Sequence, residues 1–295
     1  MIESLATDHG VSEPCGLLGV STSGYYAWRV RGPSPKALED RRIGERAAAI
    51  HETSRRTYGY PRVARSLRRE GFLCGRKRVA RIMRQRGLKG SQKARFRPKT
   101  TDSGHGCPVS PNRLRTAGPV AAPNRVWVSD ITCIPTRQGW RCLAAVMDLG
   151  TRRIKGWSLR DTMKTDLVAD AFLQATFRSR PDPGMLFHSD RGSQYASEQF
   201  RDLLGRHGAV PSMSAKGNCC DNAAMESFWA TLKSGMGMNE PFETQEDARL
   251  DIFDYIEVFY SRQRLHSSLD YRSPLDYEQQ LMRQNTGPSM SEISG

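Results

Sequence analysis

The 295-residue sequence lacks the features of a secreted, membrane-bound or zinc-binding protein. No apolar run approaches the roughly 20 residues that a membrane-spanning helix needs. The N-terminus has no basic segment followed by an apolar core, so we expect no secretory signal. The seven cysteines are scattered and include no C-x-x-C pair, which argues against a zinc site and favours reduced thiols. We therefore predict a cytoplasmic protein with no membrane partner.

Acidic residues are scarce in the first part of the chain. Residues 1–120 hold 25 Lys/Arg and 9 Asp/Glu, a net charge of +16, whereas residues 121–295 hold 20 and 22, a net of −2. Within residues 55–97 there are 16 Lys/Arg and a single acid, Glu70. Such a block favours nucleic acid, because neutralising phosphates releases counterions. The alternative is a solvated basic surface or a flexible basic tail.

The basic part has the periodicity of short helices. Residues 11–31 read as two short helices around a turn, and residues 36–53 as a third helix. Two amphipathic helices then end at Gly71 and Gly87, with Arg and Lys on their outer faces, which indicates a helix-turn-helix. The alternative is a basic helical hairpin. The cations predicted to contact DNA are Arg62, Arg65, Arg76, Lys77 and Arg78.

The pattern changes to short strands after residue 124. Three consecutive strands with short connections favour an antiparallel meander, and two later strands that alternate with helices favour parallel additions. The predicted strands are 125–134, 140–150, 153–161, 184–190 and 209–215, and the predicted helices are 165–178, 196–207, 222–234 and 243–260.

Three carboxylates have unusual settings in this α/β part. Asp130 lies inside the first strand, where an unpaired acid costs free energy. Asp190 ends the fourth strand, and Glu226 lies one turn into a helix that Asp221 or Asn222 could cap. Carboxylate oxygens suit Mg²⁺, and two such ions about 4 Å apart can promote phosphoryl transfer. Each acid taken alone could be a helix cap or a surface charge.

The three acids, with 35 residues between Asp190 and Glu226, resemble the DDE triad of integrases and transposases. The flanking segments are similar to the second-frame (OrfB) proteins of the IS-three family of bacterial insertion sequences. These segments are "WVSDIT", "HSDRGSQY", "GNCCDNAAMESFWATLK" and "YSRQRLHSSLDYRSP", with "LGVSTSGYYAW" and "RRTYGYPRVARSLRREG" in front. The resemblance covers nearly the whole chain.

This resemblance implies a ribonuclease-H-like fold, a mixed five-stranded sheet flanked by helices and preceded by a basic all-α helix-turn-helix region. It implies two Mg²⁺ or Mn²⁺ ions held by Asp130, Asp190 and Glu226, and DNA cleavage and strand transfer at the ends of an insertion sequence. Lys233 matches a lysine of the family and lies two turns after Glu226 on the same helix face. The resemblance implies that Lys233 contacts DNA near the reacting end.

Further residues are expected to contact DNA. Asn222 shares the helix face of Lys233, and His188 shares the strand face of Asp190. For His188 the alternative is a half-buried strand histidine. The tail residues predicted from the resemblance are Arg264 and His266. Two positions depart from the family pattern, Ser261 where an asparagine is usual and Cys220 where an aromatic residue is common.

The prediction divides the chain into five parts. These are an N-terminal helical segment (1–35), a helix-turn-helix-like DNA-binding domain (36–95), a basic linker (96–120), a catalytic domain with a C-terminal helix (121–281) and a flexible tail (282–295). Residues 1–120 contain no sustained leucine heptad that would indicate a dimerisation zipper.

The resemblance also predicts partners. These are double-stranded DNA at the element ends and the target, the upstream-frame OrfA protein or a fusion with it, and further copies of the chain on DNA. Action on DNA implies a cytoplasmic, nucleoid-associated location.

Other functional classes fit less of the sequence. A glycosidase uses two carboxylates and explains neither the basic front nor the third acid. A simple ribonuclease H needs no basic front part of this size. A non-catalytic DNA-binding regulator, or an inactive remnant of an element, explains the basic part but not the complete set of three acids.

Overall fold

The computed structural model describes residues 2–3, 10–91, 106, 108–215, 222–238 and 240–286. A helical region comes first and an α/β domain follows. The helices of the first region are α1 (Ser12–Leu17), α2 (Thr22–Val30), α3 (Pro35–Thr53), α4 (Tyr60–Arg69) and α5 (Arg76–Gln85), and a 3₁₀ turn lies at Leu114–Thr116. No helix within the described ranges is long and apolar enough to cross a membrane.

The α/β domain contains five strands. They are β1 (Val126–Thr136), β2 (Gly139–Asp148), β3 (Ile154–Arg160), β4 (Leu186–Ser189) and β5 (Val210–Met213). Its helices are α6 (Thr165–Ser179), α7 (Ser193–Ala196), α8 (Glu198–Arg206), α9 (Ala223–Gly235), α10 (Gln245–Phe253), a π-helix (Asp254–Gln263), a 3₁₀ turn (Ser267–Leu269) and α11 (Pro274–Thr286).

The helical hairpin α4–α5 forms as its sequence pattern predicts. Val63 and Leu67 of α4 and Val79 and Ile82 of α5 are buried, so each apolar stripe faces the core. Both helices are followed by a glycine with a left-handed backbone conformation, Gly71 at φ +87° and Gly87 at φ +67°. Glycine adopts this conformation without strain, which is why it ends helices.

The sheet has the order β3-β2-β1-β4-β5. The first three strands pair antiparallel, and β4 and β5 add in parallel beside β1. The predicted meander with parallel additions is therefore confirmed. Two hydrophobic clusters of buried side chains are present. This mixed five-stranded sheet flanked by helices is a ribonuclease-H-like arrangement, as the resemblance implies.

The helical region and the α/β domain share one hydrophobic cluster and several polar contacts. The Arg62 guanidinium donates from Nε to the carbonyl oxygen of Leu265 at 2.8 Å, and the backbone N–H of Leu265 donates to the hydroxyl of Tyr58 at 2.7 Å. Arg55 pairs with Asp251 at 3.3 Å. The regions predicted as separate domains are therefore packed against each other.

The tail differs from the prediction in two respects. The predicted helix at 243–260 is an α-helix that continues as a π-helix, in which the Ser261 hydroxyl donates to the carbonyl oxygen of Ile256, five residues back, at 2.7 Å. The predicted boundary at residue 281 is wrong, because α11 continues to Thr286. Its buried Glu278 pairs with Lys155 of β3, which fastens the helix to the sheet. Residues 287–295 lie outside the described residues.

Candidate active site

The parallel pairing of β1 and β4 brings two of the predicted acids side by side. Val128 of β1 lies opposite His188 of β4. Asp130 and Asp190 each follow this pair by two residues, and side chains two residues apart along a strand share a face. Asp130 therefore lies midway along β1, beside the carboxyl end of β4, where Asp190 directly follows the strand.

The third acid is positioned by two hydrogen bonds between α9 and β1. The side-chain amide of Asn222, which precedes α9, donates to the carbonyl oxygen of Ser129 at 3.3 Å. One helical turn after Glu226, the indole N–H of Trp229 donates to Oδ2 of Asp130 at 3.0 Å. Glu226 lies in the first turn of the helix between these contacts, and its charge acts on Asp130.

The electrostatics around Asp130 disfavour its charged form. Burial raises the pKa of the Asp130 carboxyl to about 7, with the negative charge of Asp190 as the next cause and that of Glu226 as a smaller one. Hydrogen bonds from the backbone N–H of Ile131 and from the Trp229 indole act in the opposite direction. A divalent cation beside these oxygens would offset the repulsion and favour ionised Asp130.

The donor chemistry of the three acids fits Mg²⁺ or Mn²⁺, which prefer carboxylate oxygens and keep open positions for water and phosphate. Within the described residues, no group of three or more His, Cys, Asp or Glu side chains is close enough together to hold a metal ion. The segment 216–221, which leads from β5 towards α9, lies outside those residues.

Gly192 leaves space beside Asp190. Its backbone N–H donates to Asp190 Oδ1 at 3.0 Å. A Cβ atom added at this glycine would lie 3.1 Å from the same oxygen and 2.8 Å from Oε1 of Gln194. Gly192 has a φ of −62°, which any residue can adopt. A side chain at position 192 would therefore crowd the Asp190 carboxylate and the end of the Gln194 side chain, whereas the backbone conformation is open to any residue.

Lys233 lies near Asp130 at the far end of α9. Its side chain is half-buried, and this burial lowers the pKa of its ammonium group from the ordinary value. The electrostatic influence of nearby Asp130 opposes that shift. The ammonium group is thus close to the candidate acids and only partly covered, which leaves the predicted DNA contact possible on geometric grounds.

Two residues predicted to contact DNA are buried, which corrects the prediction. His188 is 0% exposed, and its ring nitrogens lie 2.9 Å from the Ser212 hydroxyl and 3.1 Å from the Ser214 hydroxyl. It links β4 to β5, so it is a buried strand histidine, which is close to the alternative of a half-buried one. Asn222 is also buried, and its amide group is engaged with β1.

Of the two tail residues, Arg264 is buried and His266 is partly exposed. Arg264 is only 3% exposed and donates from Nη1 to the Thr57 hydroxyl at 3.3 Å. The ring of His266 packs edge-on against Tyr260 with centroids 4.9 Å apart. Burial lowers the pKa of His266 to about 3, and the charges of Arg264 and other arginines add to this shift. Arg264 belongs to the interface with the helical region, and its burial argues against the predicted DNA contact. His266 packs within the α/β domain.

The five basic residues predicted on the helical hairpin have different surroundings. Arg62 is engaged with the carbonyl oxygen of Leu265, as described above, and Arg65 lies 3.6 Å from Asp270. Both have a partner in the α/β domain, and their DNA contact stays a prediction.

The remaining three lie on α5. Arg78 pairs with Glu39 at 2.7 Å and with Asp40 at 2.6 Å, and its DNA contact stays a prediction. Arg76 and Lys77 are exposed. They keep the accessibility that DNA binding requires.

Trp229 is a site residue that the sequence reasoning missed. Its position three residues after Glu226 places it on the same helix face, which is a signal that the sequence contains. Tryptophan in an apolar helix is an ordinary core residue, however, and only the fold shows that its N–H meets a carboxylate 99 residues earlier in the chain.

Comparison with known families agrees with this architecture. Residues 37–96 match the "HTH-like domain" model, and residues 120–219 and 226–282 match two "Integrase core domain" models. The "Insertion element IS600 uncharacterized 31 kDa protein" of Shigella sonnei is 40% identical, over 90% of this chain and 97% of that protein. The chain belongs to the IS-three family of insertion-sequence transposases. Its function is DNA transposition, and its core is a polynucleotidyl transferase domain.

Other members of the family show the same extent of similarity. The "Transposase for insertion sequence element IS904" of Lactococcus lactis is 40% identical, over 84% of this chain and 98% of its own length. The "Transposase InsF for insertion sequence IS3A" of Escherichia coli is 36% identical, over 94% and 96%. Among solved structures, the HTLV-2 integrase catalytic core domain in complex with magnesium aligns with 53% of this transposase and 97% of that chain, at 14% identity and a TM-score of 0.42.

Proposed function

We propose that Asp130, Asp190 and Glu226 are the DDE triad of this transposase and hold two Mg²⁺ or Mn²⁺ ions that promote cleavage and strand transfer at the element ends. The observation that carries the proposal is the convergence of acids from β1, β4 and α9 around Asp130, whose pKa their charges help to raise. Such shifts cluster at functional sites.

The bound ions would activate the attacking oxygen and stabilise the leaving oxygen of the phosphodiester. The three carboxylates hold the site at the edge of a rigid sheet. The Lys233 ammonium beside them binds a DNA phosphate close to the scissile bond. A water oxygen attacks phosphorus in the first step, and the freed DNA 3′-hydroxyl attacks a target phosphodiester in the second, so no bond to the protein forms.

We assign DNA binding by the helical region to the solvent face of α5. Lys77 and Arg84 are both exposed and lie seven residues apart, two turns along the same face, with exposed Arg76 at the start of the helix. Charges of this kind contact phosphates and fix the position of the duplex. We therefore propose a smaller group of DNA-contacting cations than the five predicted from the sequence.

Element ends must be held in pairs, so further copies of the chain are proposed partners on DNA. The upstream-frame OrfA protein, supplied separately or as a fusion, is proposed as the second protein partner on the strength of the family resemblance. Action on chromosomal DNA would place the complex at the nucleoid in the cytoplasm.

The test uses the full chain with duplex oligonucleotides that copy the ends of its own element. We expect nicking and joining with Mg²⁺ or Mn²⁺, and little of either with Ca²⁺, which is larger and tolerates looser geometry. The fusion with the upstream-frame protein is assayed in parallel. Binding without cleavage by both proteins in either active metal would instead support a non-catalytic regulator or an inactive remnant.

A further inference from the structure

Trp229 is the side chain of α9 that is bonded directly to a candidate metal ligand. It is 7% exposed, and its indole Nε1–H lies 3.0 Å from Oδ2 of Asp130. The ring also packs against Phe228 with centroids 4.8 Å apart. The N–H group is therefore directed at the carboxylate by a ring that the core holds in place.

We propose that Trp229 is a positioning residue for the metal site, which fixes the Asp130 carboxylate and the distance between α9 and β1. The inference rests on the proposed function, in which Asp130 is a metal ligand. An aspartate carboxylate rotates easily about its last side-chain bond. A donor on one oxygen restricts that rotation and leaves the other oxygen oriented for an ion.

The same bond couples two ligands that come from different elements. Glu226 and Trp229 are one turn apart on α9, so the indole contact with Asp130 holds the helix turn that carries Glu226. The Asn222 amide holds the start of the helix on Ser129. Without the Trp229 bond, the helix turn that carries Glu226 would lose this link to β1, and two of the three carboxylates would lose their mutual register.

Residues that orient metal ligands have a measurable effect on metal affinity. Removing a hydrogen-bonding partner of a metal ligand typically weakens metal binding about 10–100-fold. The Trp229→Phe variant keeps an aromatic ring in the core and removes the N–H donor. If Trp229 only fills space, this variant should bind metal like the wild type. If it positions Asp130, metal binding should weaken even though the fold is intact.

The chain contains a matched control. The Trp157 indole donates to Oε1 of Glu257, also at 3.0 Å, and joins β3 to the π-helix. Trp157→Phe therefore removes the same kind of bond at the same distance, from a carboxylate that is not one of the three candidate acids. A general effect of losing an indole–carboxylate bond would appear in both variants.

Mn²⁺ binding to the full chain is measured without DNA. The electron paramagnetic resonance signal of free Mn²⁺ reports how much of the ion stays unbound. We expect the dissociation constant to rise about tenfold or more in Trp229→Phe and to stay unchanged in Trp157→Phe. Cleavage of end DNA by Trp229→Phe should recover at high Mn²⁺ concentration. A variant with a misfolded core would not regain activity in this way. Wild-type Mn²⁺ affinity in folded Trp229→Phe would overturn the inference.

Asp130→Asn separates this inference from the function on which it rests. Near-complete loss of Mn²⁺ binding in Asp130→Asn, with wild-type binding in Trp229→Phe, would reject only the role of Trp229. Wild-type binding in Asp130→Asn would reject the metal site itself. If Trp229→Phe fails to fold by near-ultraviolet circular dichroism, benzothienylalanine at position 229 replaces the N–H by sulfur at nearly constant volume and answers the same question.

Discussion

Charged side chains of the helical region and the Asp130 carboxylate of the α/β domain have opposite electrostatic surroundings. In the helical region, Arg78 is placed against Glu39 and Asp40, and Arg62 against a backbone carbonyl of the neighbouring domain. In the α/β domain, by contrast, Asp130 is placed beside two further acids. The first arrangement stabilises the fold. The second raises the free energy of the charged carboxylate and favours a cation.

This difference shows that the density of charge in a sequence does not locate the functional charges. Residues 55–97 hold 16 basic residues and one acid, yet Arg55, Arg62 and Arg65 of this block bind the α/β domain. Three acids in a segment of nearly neutral net charge are the better candidates for chemistry, because the charges of Asp190 and Glu226 act on the buried carboxyl of Asp130.

The largest expected effect tests the acidic side of the comparison. Glu226→Gln keeps the shape of the side chain but removes a charged oxygen ligand. Loss of a ligand from a two-metal site should cost several kcal/mol of transition-state stabilisation, so cleavage and joining of end DNA should fall by at least about a thousandfold. DNA binding, measured by gel shift, should be nearly unchanged. Activity within about tenfold of the wild type would contradict the triad assignment.

The second effect concerns the stability of the metal-free protein. The folded-state pKa of Asp130 is about 7, above the value of about 3.9 expected in the unfolded chain. The folded state therefore binds the extra proton between these values, and its stability falls as pH rises from about 4 to about 7. Asp130→Asn should reduce this fall, as measured by urea unfolding in EDTA across that range.

Comparison with the variant is needed because His266 acts in the opposite sense. Its folded-state pKa is about 3, so it favours the folded state increasingly as pH rises towards the unfolded value of about 6.5. This contribution is the same in both proteins and cancels. Mg²⁺ at pH 8 should stabilise the wild type and not Asp130→Asn. Identical pH profiles for the two proteins would show that Asp130 is an ordinary carboxylate.

A smaller effect tests the structural use of arginine in the helical region. Arg62→Ala leaves the Leu265 carbonyl without this donor, and loss of a partner by a buried polar group costs about 1–3 kcal/mol. We expect a lower urea midpoint and little change in the salt dependence of DNA binding. A clear change in the salt slope, with no loss of stability, would place Arg62 at DNA after all.

The smallest effect tests the arginine and lysine face that remains for DNA. Lys77→Ala removes an exposed cation of α5 and should leave stability within about 0.5 kcal/mol of the wild type. It should weaken DNA binding to a similar extent on all sequences and lower the slope of log affinity against log salt by about 1. Fluorescence anisotropy measures DNA binding of both variants. Lys77→Ala should change the salt dependence of binding and not the stability, and Arg62→Ala should change the stability and not the salt dependence. An unchanged slope would exclude Lys77 from the phosphate contacts.

Local patterns were sufficient to predict the elements and the three acids. Alternation in the strands, helical stripes that end at Gly71 and Gly87, and the acid inside β1 are properties of neighbouring residues, so they can be read from the chain. The relative strand directions followed as well, because short connections favour antiparallel neighbours and helical connections favour parallel ones. Helix α11 was missed, and the ion pair that holds it on β3 is long-range, so no local pattern shows it.

The sequence by itself determined which residues carry charge, which elements form and which family signature they compose. Only the tertiary structure decided which charges are used for packing and which remain for chemistry. His188, Arg264 and Arg62 carry polar groups suited to DNA, but contacts from distant parts of the chain engage them. Trp229 shows the reverse case. From the sequence it is an ordinary core residue, and it contacts Asp130 only because α9 packs on β1. Pairing of this kind depends on distances between elements, which no local pattern encodes.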